Sequence, residues 1–140
     1  MNPLRFLPEY EIFVYTLAQR YLLIRRSTLV VVRRGAAIAV LSGAVELAGG
    51  IRLVVREKLS FAQSPGLIIG YGYEVWRGEE ELYWYDSQAH PGDRQLASTD
   101  PHHKHIPPDI KHRRIPAPQL SFTRPNLPFL IEEIERELLG

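Results

Sequence analysis

Gly49-Gly50-Ile51-Arg52-Leu53-Val54-Val55-Arg56-Glu57-Lys58-Leu59 alternates with a period of two. Ile51, Leu53, Val55, Glu57 and Leu59 fall on one side, and Arg52, Val54, Arg56 and Lys58 on the other. Successive side chains of a strand point to opposite faces, so this stretch reads as a strand with one buried face and one solvated face. Sheets with a solvated face are typically antiparallel, and Gly49-Gly50 is a hairpin signal in front of it.

The neighbouring segments extend the pattern in both directions. Upstream, Leu29–Val32, Ala36–Leu41 and Ala44–Leu47 read as strands. Downstream, Pro65-Gly66 marks a turn, and Leu67–Trp76 and Leu82–Tyr85 form a hairpin across Arg77-Gly78-Glu79-Glu80. The expectation is an antiparallel meander of about five strands over 28–86. Nothing alternates strand with helix, which argues against a parallel sheet.

Helices are expected at both ends. Pro8 with Glu9 and Glu11 suits a helix start, because acids there face the positive end of the dipole. Tyr10, Phe13, Val14, Leu17 and Tyr21 recur at helical spacing, which predicts a helix over 8–20. Asn126 reads as an N-cap, and Leu127, Leu130, Ile131, Ile134 and Leu138 predict a second helix over 126–139. Glu132 and Arg136 stand at i, i+4, and Gly140 is a natural stop. Between sheet and last helix, 87–125 is rich in proline and histidine and reads as a functional loop. The fold class is α+β in a single domain over 1–140.

Composition excludes several classes. The chain has 140 residues, 45% of them hydrophobic, which is enough for a core without staples. It has no cysteine, so disulfides, thiolate metal sites and cysteine nucleophiles are ruled out together. The net charge of +1 makes any nucleic-acid surface a matter of local clustering. The N-terminus does not read as a signal peptide, and the longest charge-free apolar run, Gly35–Val45, is short of the ~20 residues of a membrane span. A cytoplasmic location and no membrane partner are expected.

The chemistry concentrates in the loop. All five histidines lie there: His90, His102, His103, His105 and His112. Asp86, Asp93, Asp100 and Asp109 are interspersed, with Arg94, Lys104, Lys111, Arg113 and Arg114. Four readings compete. Imidazoles change charge near neutrality and can act as general acid and base in RNA cleavage, with cations holding the phosphate. His103 and His105, at i and i+2 of an extended segment, project to one side and could ligate a metal with Asp86 or His90, although no established ligand spacing is present. The cluster could bind phosphate without chemistry, with Lys111 to Arg114 as the basic run. Or the histidines bond to backbone in a rigid loop, with His112 a solvated member of a charged run.

Weaker features surround this cluster. Gly70-Tyr71-Gly72-Tyr73 resembles half of a nucleotide-binding glycine motif, but no helix follows, and it reads as strand. The aromatics of the last hairpin, from Tyr71 to Tyr85, could stack on bases but more often fill cores. Arg52, Arg56 and Lys58 form a basic stripe on one sheet face, or simply keep that face soluble.

An ordered set of motifs carries a family resemblance. A strand like Ile51–Glu57 is followed by an aromatic strand like Tyr71-Gly72-Tyr73. Then come the box Trp84-Tyr85-Asp86, His90, the box Pro101-His102-His103-Lys104-His105, and a closing helix like Leu127–Leu138. From about Val45 to the C-terminus the chain resembles the TumE family of toxins from bacterial toxin–antitoxin pairs. The family usually has Asp-Asn after the aromatic pair. This chain has Asp86-Ser87, which keeps the carboxylate and replaces the amide.

The resemblance implies a toxin neutralised by a cognate antitoxin, and RNA is the expected target. The residues expected to act are His103 and His105 as acid and base, Asp86 orienting a histidine, and His102 and His90 in reserve. Lys104, Arg94, Lys111, Arg113 and Arg114 are expected to bind substrate. The expected chemistry is metal-independent and needs no cofactor. A second copy of the chain is a further candidate partner. The alternative is a non-catalytic regulator that binds nucleic acid or metal.

Overall fold

The computed structural model describes residues 2–87 and 102–139. Its N-terminal helix runs Leu7–Tyr15 (α1) and Leu17–Arg20 (α2), in place of one helix over 8–20. The break falls at Thr16, whose hydroxyl donates to the Ile12 carbonyl at 2.6 Å. Such back-bonding competes with the helix ladder and bends it.

Among the described residues, eight strands make one antiparallel sheet: β1 (Ile24–Ser27), β2 (Val30–Arg33), β3 (Ile38–Leu47), β4 (Ile51–Ser60), β5 (Leu67–Arg77), β6 (Glu80–Asp86), β7 (His103–His105) and β8 (Arg114–Pro116). The order is β1-β3-β4-β5-β6-β7-β8, with β2 also paired to β3. The expectation of about five strands is therefore corrected at both ends. The two upstream segments expected around Gly43 are one long strand, β3, flanked on the same edge by β1 and β2. The connection between these two presses onto Gly43. A Cβ there would stand 2.5 Å from the Thr28 carbonyl oxygen, and its φ of 135° is one that other residues rarely adopt.

The larger correction is in 87–125. Proline and histidine suggested a loop, but His103–His105 pairs with β6 and Arg114–Pro116 pairs with β7. Both strands are only three residues long, and Pro116 sits on the outermost one, where a missing N–H costs no ladder bond.

The alternation of β4 holds. Ile51, Leu53, Val55, Glu57 and Leu59 are buried, while Arg52, Arg56 and Lys58 are exposed. The buried face carries the helices. Tyr10, Phe13, Val14 and Leu17 from the N-terminal helices join one core with Leu127, Leu130, Ile131 and Ile134 of α3 (Leu127–Ile134). Beyond α3 the chain continues as a wider helical turn, Glu135–Leu139. Asn126 stands at the N-cap position without capping. Its amide instead donates to the Tyr73 hydroxyl at 3.0 Å and to the Ser121 carbonyl at 3.0 Å. Arg136 pairs with Glu137 at 3.2 Å, where a pair with Glu132 was expected.

The core contains a polar network. Glu57 is buried and accepts hydrogen bonds from the hydroxyls of Tyr10, on α1, and Tyr73, on β5. Burial pushes its carboxyl up to about 6, against the lowering effect of those two bonds. Buried polar groups that satisfy one another fix a unique packing, and this one ties α1, β4, β5 and Asn126 together.

Candidate functional site

Strand pairing brings the chemistry to one place. On β6, Tyr85 faces the helices and donates to Glu133 of α3. Trp84 and Asp86 therefore face the other way, toward the outer face. On β7 the same alternation sends Lys104 inward and His103 and His105 outward. The register sets Asp86 opposite His103 and Trp84 opposite His105.

Asp86, His103 and His105 form a compact cluster. Each offers a ligand-type atom, and these atoms lie within 4.8 Å of one another. The Nε2 of His103 meets Oδ1 of Asp86 in a close ion-pair contact. The Nε2 of His105 is 3.6 Å from Oδ2, beyond hydrogen-bond range but near enough to act electrostatically. The His105 ring stacks on the Trp84 indole, with centroids 3.6 Å apart. The indole is itself held by a hydrogen bond of 3.1 Å to the Ile110 carbonyl. Both imidazoles are buried, and among the described residues neither nitrogen of His105 has a hydrogen-bond partner. Burial pushes the Asp86 carboxyl up, but its contacts with His103 and His105 outweigh this and hold it well below the usual carboxylate range.

A transverse row extends the cluster across the sheet. Arg56 on β4 pairs with Gly72 on β5, Gly72 with Asp86, and Asp86 with His103. A Cβ on Gly72 would stand 2.4 Å from the Arg56 Nη2, so the guanidinium lies across the glycine. It makes no ion pair among the described residues. Lys58 pairs with Gly70 in the next row of the same face. Val40, Ser42, Arg56, Lys58, Gly70 and Gly72 line a groove of about 360 Å³ there. Further along, the Arg52 guanidinium lies 5.7 Å from the centroid of the Trp76 ring. Sequence reading noticed the basic stripe but did not join it to the histidines, because the cross-sheet register is not written in either segment.

Other expected site residues take different positions. Arg114 pairs with His105 and stands beside it on the outer face. Lys104 is on the opposite face, 3.2 Å from Glu133 and over the rings of Tyr83 and Tyr85. The Nδ1 of His102 is 2.6 Å from the Tyr71 hydroxyl, and its ring packs against Phe122. Burial, and then the charge of His103, lower its pKa. Lys111 and Arg113 are exposed around a turn in which His112 pairs with Asp109 at 3.1 Å. His90 and Arg94 lie outside the described residues. Ser87, where the family usually has Asn, accepts a hydrogen bond from the Tyr71 amide at 3.0 Å and so extends the β5–β6 pairing.

The model of the family described as toxin TumE matches residues 14–138, which takes in the whole sheet, the cluster and α3. The chain belongs to the TumE toxin family. It is accordingly the toxin component of a toxin–antitoxin system, with a cognate antitoxin as partner. No curated protein and no solved structure matches it. Among the described residues of this TumE-family toxin, no helix is long and apolar enough to cross a membrane.

Proposed function

We propose that this toxin acts on RNA, with phosphate held by Arg56 and Lys58 beside a reaction centre formed by Asp86, His103 and His105. The observation that carries the reading is the row Arg56–Gly72–Asp86–His103, which sets a guanidinium with no ion pair among the described residues two strands from an imidazole–carboxylate pair on one face. Glycine at position 72 leaves room for the Arg56 guanidinium to lie flat against the sheet beside that pair. A cation fixed beside groups able to move protons is what phosphodiester cleavage requires. Arg114, next to His105, extends the positive field on the other flank. Lys104 has no part in this, since its ammonium serves Glu133.

Purified toxin incubated with total RNA tests the reading. Cleavage is expected, and Arg56→Ala should weaken it while the protein stays folded. Cleavage that survives a chelator assigns the chemistry to the imidazoles alone. Cleavage that a chelator abolishes puts a cation in the centre. Intact RNA under both conditions overturns the reading and favours a non-catalytic binding protein.

A further inference from the structure

His105 presents a problem that hydrogen bonding within the chain does not solve. It is 3% exposed, and neither ring nitrogen has a hydrogen-bond partner among the described residues. An unsatisfied buried polar atom is destabilising, so such atoms call for an explanation. The Trp84 stack fixes the plane of the ring and directs Nε2 toward Asp86.

We propose that Asp86, His103 and His105 bind one divalent transition-metal cation, of the zinc or cobalt type, through one carboxylate oxygen and two imidazole nitrogens. The site rests on the same cluster as the RNA reading and does not depend on RNA being the target.

Four observations support it. The ligand atoms lie within 4.8 Å of one another, a span that modest side-chain rotation closes to bonds of about 2.0–2.2 Å. The His105 Nε2 to Asp86 Oδ2 distance of 3.6 Å is already close to the roughly 3.3 Å between two ligands of a tetrahedral ion with such bonds. A cation also takes the lone pair of one orphaned His105 nitrogen and leaves a single N–H to satisfy. Two imidazoles and one carboxylate, with no thiolate in the chain, suit a borderline cation and leave a position open. Asp86 keeps 13% of its side chain exposed, so the cluster is not sealed from solvent. Sequence spacing leaves the third ligand open between Asp86 and His90, and strand pairing brings Asp86 of β6 to the two imidazoles.

The full-length toxin, stripped with chelator and dialysed, would be titrated calorimetrically with zinc, and with cobalt while visible absorption is recorded. One ion per chain is expected, with cobalt bands of a low-coordinate nitrogen and oxygen site. His105→Ala should weaken binding at least about 100-fold, because even residues that only support metal ligands cost 10–100-fold. Asp86→Asn, which keeps volume, should weaken it comparably and covers the case in which His105→Ala fails to fold. His112→Ala should change nothing, since the exposed His112–Asp109 pair is the other imidazole–carboxylate contact. No binding, or binding that follows His112 and ignores Asp86 and His105, overturns the proposal. A protein that binds its ion but leaves RNA intact overturns the RNA reading alone.

Discussion

The guanidinium of Arg56 occupies the space that a side chain at Gly72 would fill, with Nη2 only 2.4 Å from the position of the missing Cβ. Gly72 also pairs with Asp86, so the one residue without a side chain separates the basic stripe from the carboxylate. The two features become a single surface because of that gap.

Gly72→Ala should move Arg56 off the row while leaving its charge in place. RNA affinity is expected to fall, and the salt dependence of binding should drop by roughly the share of one phosphate contact, a slope change of about 0.7. Arg56→Ala should give the same change. Binding isotherms at several salt concentrations check this, and an unaltered slope in both variants removes Arg56 from the interface.

Glu57 should make folding weaker as pH rises from mild acid toward neutrality. Its folded pKa of about 6 lies above the ordinary glutamate value of 4.5, so the folded state binds the extra proton between those values. Stability is then fully present below about 4.5 and falls as pH rises through about 6, by up to about 2 kcal/mol. Glu81, pushed up to about 7 by burial and by Glu74, acts with the same sign. The difference between wild type and Glu57→Gln isolates Glu57. Melting temperatures from pH 4 to pH 7 should show a smaller fall in the variant.

Lys104 should behave as a structural residue. Its ammonium serves Glu133, which also accepts from Tyr85. Lys104→Ala leaves that carboxylate with less compensation and is expected to cost about 1–3 kcal/mol in denaturant unfolding. RNA binding per folded molecule should be unchanged. A stable variant that has lost RNA binding would return Lys104 to the interface.

Gly43→Ala should destabilise the β1–β2 edge. The new Cβ would meet the Thr28 carbonyl at 2.5 Å on a backbone of positive φ, and both must be relieved together. A loss of about 2 kcal/mol is expected in denaturant titration, with metal binding retained.

Local pattern made part of this legible. The alternation of Ile51 to Leu59, the turn at Gly78 and the helical spacing of Leu127 to Ile134 all act within a few residues, and all hold. The strand at His103–His105 did not show, because prolines on either side imply a loop and only pairing with β6 makes three residues a strand. The same distance effect governs the site. The histidines and Asp86 could be named from residue type, but the reversal of Lys104 follows from alternation in a strand that was not anticipated. Arg56 needed the register of three strands to reach the cluster. Asn126 looked like a cap because caps are set locally, whereas its buried partner Tyr73 lies far away in sequence.

The most direct test of the reaction centre is RNA cleavage by wild type, Asp86→Asn and His103→Ala, each shown to be folded by its melting transition. Arg56 remains in place in all three, so RNA binding should persist. The reaction-centre assignment requires cleavage by wild type and a loss of at least about 100-fold in both variants, with binding retained. Folded variants that cleave as wild type does would contradict it.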